Sequence, residues 1–119
     1  MIKKLLLAGV ACVFLNTAFA ENVASFKETL DLAQKGDAKV QLKVGSMYVM
    51  GDGVAQNFLE AGSWYRKSAE QGNAIAQYRL GILYYYGVGV PKDHNKALEW
   101  LKKSSDQGNT QAKNFIDRI

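Results

Sequence analysis

Residues 83–93 read Leu-Tyr-Tyr-Tyr-Gly-Val-Gly-Val-Pro-Lys-Asp, an apolar run that passes into Gly87 and Gly89 and then reaches Lys92. Closely spaced glycines before a basic residue can cradle a phosphate, because glycine lets backbone N–H groups approach the anion and a lysine neutralises it. A dinucleotide site of this kind also needs a preceding strand and a third glycine for close helix packing. Lys92 occupies the place of that third glycine, and Gln56 does so in a matching stretch at 48–57, Tyr-Val-Met-Gly-Asp-Gly-Val-Ala-Gln-Asn. The glycines are therefore read as ending one helix and permitting a tight connection at positive φ, stiffened in the second copy by Pro91.

Other chemistry is sparse. His94 is the single histidine and stands in register with Phe58, which favours packing or surface over catalysis; zinc would need a histidine pair at helical spacing. No serine has a lysine three residues on, as penicillin-recognising enzymes require; the nearest is Ser63 with Arg66. Glu60 and Lys96 share a register position with opposite charge, as solvated helix faces do. Nothing assembles nucleophile, base and orienting group. No catalytic, cofactor-binding or metal-binding residue is assigned, and no cofactor is expected.

The first twenty residues read as an address. Lys3 and Lys4 precede an apolar stretch from Leu5 to Leu15, and Ala18-Phe19-Ala20 places small residues before Glu21. This is the pattern of a secretory signal peptide cleaved after Ala20, which points to a periplasmic or secreted protein. Leu5 to Ala20, 16 residues, would span about 24 Å as a helix, short of the roughly 30 Å of a bilayer core, so stable membrane insertion is not expected. Cys12, the one cysteine, departs with this segment, and the mature chain must be held by packing without disulfides. Lys3 and Lys4 leave too, so thirteen basic residues face eleven acidic ones, a net of +2. Charges are interspersed, and no nucleic-acid partner is expected. The 99 residues from Glu21 onward suffice for one domain burying roughly 60–65% of its unfolded surface.

Shifted by 36, the chain falls on itself without a gap. Thirteen of 36 positions are identical between 36–71 and 72–107, among them Gly45/Gly81, Tyr48/Tyr84, Trp64/Trp100 and Gln71/Gln107. Ordinary composition would give about two or three. Each period reads as two helices. Asp37, Asn73 and Asn109 follow glycines as N-caps of the first type, and Asn57 and Asp93 follow the double-glycine turns as N-caps of the second, with Glu60 completing a capping box on Asn57. Helices are expected near 37–50, 57–71, 73–86, 93–107 and 109–118. Residues 22–35, with Phe26, Leu30 and Ala33 at helical spacing, read as an N-terminal cap helix, so that six helices stack as antiparallel pairs.

The pattern Ala74-x-x-Gln77-x-x-Leu80-Gly81-x-x-Tyr84-x-x-Gly87-x-Gly89-Val90, followed by Asp93, Lys96-Ala97, Trp100 and Gln107-Gly108, resembles the Sel1-like repeat, a relative of the tetratricopeptide repeat. The first copy keeps most of it, with Val44 for Leu80 and Asn57 for Asp93, and the resemblance covers 36–119. It implies an all-α fold: a short α/α solenoid of period 36, with a cap helix at 21–35, repeats at 36–71 and 72–107, and a C-terminal cap at 108–119. In this fold Gly45 and Gly81 let the helices of a pair approach, and Trp64 and Trp100 fill the space between pairs. The C-terminal cap would bury Phe115 and Ile116 against Trp100 and Leu101. Function usually lives on the concave face of such arrays. The resemblance puts Lys39, Leu42, Ser46, Val49 and Met50 there, with Ile75, Tyr78, Ile82, Tyr85 and Tyr86. The second set follows the spacing i, i+3, i+7, i+10, i+11 of one helical stripe. An exported, non-catalytic module holding a protein or peptide is the expectation, with self-association left open. Two alternatives are a cell-wall-directed binder or β-lactam hydrolase like cysteine-rich exported relatives, whose paired cysteines this chain lacks, and an immunity or inhibitor protein against a toxin.

Overall fold

The computed structural model describes the backbone of residues 2–119 and the side chains from Thr17 onward. The side chains of the basic start and apolar stretch expected of a signal peptide, Cys12 included, lie outside the described residues. Six helices follow in order: α1 Ile2–Gln34, α2 Ala38–Met50, α3 Phe58–Glu70, α4 Ala74–Tyr86, α5 His94–Asp106 and α6 Thr110–Arg118. Each packs on the next, and every regular element among the described residues is helical.

The N-caps stand where side-chain chemistry requires them. Asp37 accepts from the N–H groups of Lys39 and Val40 at 2.9 and 3.1 Å, Asn57 from Glu60 at 3.1 Å, Asn73 from Ala76 at 2.9 Å, Asp93 from Lys96 at 3.0 Å and Asn109 from Ala112 at 3.0 Å. Each satisfies donors that have no partner inside the helix. The capping box forms only by half. The Asn57 N–H donates to the Tyr48 carbonyl at 2.9 Å, as Asp93 does to Tyr84, so the group that the Glu60 carboxylate would serve already has a partner. Gly51 and Gly87 end α2 and α4 in the left-handed region, at φ 68° and 69°, and turn the chain back.

Two other glycine pairs set distances. A Cβ at Gly45 would stand 2.5 Å from Tyr65 Cδ1, and one at Gly81 would stand 2.8 Å from Leu101 Cγ. Both also face the carbonyl of the register-equivalent alanines Ala61 and Ala97, at 3.3 and 3.2 Å. The missing side chain is thus what allows the helices of each pair to approach. A Cβ on Gly53 or Gly89 would collide with the backbone of Asn22 or Phe58 respectively, two residues exactly one period apart. The end of α1 therefore serves as an extra second-type helix against which the first repeat's turn rests.

Two apolar clusters run along the stack. Phe26, Ala33, Val44, Met47 and Trp64 join α1, α2 and α3. A larger one around Tyr65, Leu80, Leu83, Tyr84, Leu101 and Phe115 joins α3 to α6. Trp64 fills the space toward α1, while half-buried Trp100 lies at the edge of the larger cluster. Leu80 and Leu101 have no exposed surface, and each contributes about 1.5–3 kcal/mol by burial.

A polar ladder accompanies the apolar one and accounts for identities that packing does not explain. Ser68 donates to the Ala38 carbonyl and Ser104 to Ala74, both at 2.6 Å. Gln71 donates to Gln41 at 2.7 Å and Gln107 to Gln77 at 2.8 Å. Gln41 and Gln77 then donate backward to Ala33 and Ala69, in the last turns of α1 and α3, at 3.3 and 3.1 Å. These carbonyls at the helix ends also accept from the Gly36 and Gly72 N–H groups at 3.0 Å, and the glutamine amides add a second bond to each.

Candidate interaction groove

The first helices of the two repeats, α2 and α4, flank a groove of about 420 Å³ floored by α3. Ser46, Val49 and Met50 come from α2, Phe58 and Tyr65 from α3, and Tyr78, Arg79, Ile82 and Leu83 from α4. Five of the residues expected on the concave face, Ser46, Val49, Met50, Tyr78 and Ile82, are brought together here.

The other five are not part of this lining. Lys39 is exposed in the first turn of α2, and Leu42 is half-buried against the larger core cluster. Ile75 is exposed in the first turn of α4. Tyr85 is half-buried in an aromatic group: its ring stacks on His94 with centroids 4.6 Å apart and meets Phe115 edge-on at 5.2 Å. Tyr86 remains 59% exposed beside it, its ring edge-on to Tyr85 at 5.0 Å and to Phe115 at 6.3 Å. His94 thus has a packing partner, in keeping with the register of Phe58.

Phe58, Tyr65, Arg79 and Leu83 were not among the expected residues. Arg79 had a visible signal, since α4 reads Ala-Ile-Ala-Gln-Tyr-Arg-Leu-Gly-Ile-Leu-Tyr-Tyr-Tyr and holds no other charge. Its Nη1 donates to the hydroxyls of Ser46 and Tyr65, the latter at 3.3 Å, and its guanidinium lies 5.8 Å from the centre of the Tyr65 ring. Tyr65 in turn donates to Ser46 at 3.3 Å, and Ser46 donates to the Leu42 carbonyl at 3.0 Å. The Ser46 hydroxyl is therefore occupied by Leu42, Tyr65 and Arg79, with neither histidine nor carboxylate to activate it among its described partners.

No Asp or Glu lines the groove, so it combines an apolar, aromatic wall with one guanidinium. Such a lining offers apolar and aromatic contact area around a single oriented cation. Tyr48, on another face of α2, has its phenol pKa raised above the usual value, first by burial and then by the nearby Glu60 charge. Among the described residues no three His, Cys, Asp or Glu side chains are grouped to hold a metal, and no helix is long and apolar enough to cross a membrane.

The geometry has known counterparts. A protective antigen of uropathogenic Escherichia coli displaying an SLR fold superposes with a TM-score of 0.76 at 38% identity, over 79% of this chain and 20% of that one. A Sel1 repeat protein from Oxalobacter formigenes gives 0.73 at 36% identity, over 76% and 37%. The cysteine-rich protein B of Helicobacter pylori gives 0.71 at 21% identity, over 76% and 68%, a likeness of fold alone. The chain thus spans well under half the length of the first two. A search among curated proteins finds no match. Sel1-repeat folds are commonly protein-interaction modules and typically non-catalytic scaffolds. The Sel1 repeat model matches residues 38–73 and 74–109, two consecutive units of the period seen in the helices, and the chain belongs to the Sel1 repeat family.

Proposed function

We propose that this chain is an exported interaction module that holds a segment of another protein in the groove between α2 and α4. The observation that carries this reading is the lining itself. Val49, Met50, Phe58, Tyr78 and Ile82 form a continuous apolar wall, and Met50 at its rim is 68% exposed, an arrangement whose surface gains most from being covered. A groove of this size suits a helix or extended peptide better than a large folded surface. Export is supported by the basic start, apolar stretch and Ala18-Phe19-Ala20 pattern of the leader.

The test separates the groove from exposed aromatic surface in general. The immobilised chain is exposed to an extract of the cells that make it, beside a Met50→Ser, Tyr78→Ser double variant and a Tyr86→Ser control, each checked for helix content. A protein held by the parent chain and the control, and lost from the double variant, is the expected result. Equal retention by all three would place binding elsewhere and reject the reading.

A further inference from the structure

The charge on the two concave helices is segregated. The chain holds eleven acidic residues, yet α2 and α4 carry Lys39, Lys43 and Arg79 and not one Asp or Glu. The acids stand in α1, α3, α5 and α6, at N-caps and in the turn at Asp52. Only one of the three cations, Arg79, reaches the groove, and there it is half-buried against apolar walls. Its Nη1 is committed to Ser46 and Tyr65, which fixes the plane of the group. Nη2 and Nε make no hydrogen bond among the described residues. These two nitrogens form the side-on fork that matches a carboxylate with two parallel N–H···O bonds.

The register sharpens the point. One period after Arg79 stands Phe115, whose ring packs on Tyr85 and Tyr86 at the next junction. A guanidinium at this position is therefore not needed to build the solenoid. A cation kept in an apolar groove without an acidic neighbour loses hydration and recovers it only from hydroxyls, so the state that completes it is one with a bound anion.

Resting on the groove reading above, we infer that the occupant is an acidic–apolar peptide: an Asp or Glu side chain seated on the Nε/Nη2 edge of Arg79, beside a bulky apolar residue on Val49, Met50, Tyr78 and Ile82. Lys39 and Lys43, exposed along α2, add long-range attraction for such a segment and make its association salt-dependent.

A random-peptide phage library selected against the full chain tests this, with Arg79→Met to remove the charge at similar volume and Arg79→Glu to invert it. The parent chain is expected to enrich sequences with Asp or Glu next to Leu, Ile or Phe, and Arg79→Glu to exchange the acid for Lys or Arg. A synthetic peptide from the enriched set should bind the parent about tenfold more tightly than its acid-to-amide counterpart, and Arg79→Met should hold the two equally. Enrichment of apolar peptides without an acid, or an acid-to-amide loss as large in Arg79→Met as in the parent, overturns the inference and leaves the groove reading standing. Selected peptides that bind the Met50→Ser, Tyr78→Ser variant as well as the parent, or no enrichment at all, overturn both.

Discussion

The two junctions between successive repeats share one backbone plan and end differently. At the first, Val49, Met50, Phe58 and Tyr65 surround Arg79, and a groove remains open. At the second, the same register holds Tyr85, Tyr86, His94 and Leu101, and Phe115 packs on the two tyrosines while His94 stacks on one of them. Arg79 leaves the first junction open, whereas Phe115 at the equivalent position packs on the aromatic side chains of the second, although Tyr86 stays exposed there. In a repeat protein the backbone supplies the site many times over, and single side chains decide where it is left vacant.

The largest effect should come from breaking the closed junction. Phe115 is buried in the terminal layer, and Phe115→Ala should lower stability by about 3 kcal/mol and the thermal midpoint by roughly ten degrees or more, measured by circular dichroism. A loss under about 1 kcal/mol would show that this ring does not hold α6. Next in size is the pair of close approaches. Gly81→Leu should overpack Leu101 and cost about 1–3 kcal/mol, lowering the midpoint by several degrees. Unchanged melting would count against that close approach. The smallest effect sharpens the contrast. Arg79→Phe should fill the open junction, raising stability by about 1 kcal/mol while abolishing groove binding in a pull-down. Retained binding in a variant of normal stability would separate the groove from its proposed use.

Much of this architecture is legible in the sequence because its determinants are local. Asp37, Asn57, Asn73, Asp93 and Asn109 mark helix starts by a hydrogen bond two or three residues long, and the structure begins each helix one residue after them. The contact of Gly81 with its partner helix, expected from the resemblance to the Sel1-like repeat, is present. The groove lining was only half readable, because helical spacing tells which residues share a stripe and says nothing of what covers it. Val49 and Tyr85 hold the same register, yet Tyr85 is overlain by Phe115 and His94 from two other helices. Arg79 escaped because its partners, Ser46 and Tyr65, lie 33 and 14 residues away. The absent half of the capping box has the same origin: the Tyr48 carbonyl comes to Asn57 through the turn, which no window around Glu60 displays.

The glutamine ladder has a mechanical consequence. Gln77 fastens α4 to the last turn of α3, across the boundary between repeats, and is itself held by Gln107 of its own repeat, none of these amides lining the groove. That bond adds a directional constraint to the tilt that the apolar cluster joining α3 to α6 sets between the repeats. Exchanging Gln77 would remove that constraint while leaving the identity of every groove-lining side chain unchanged, so the groove's width is open to change separately from its chemistry.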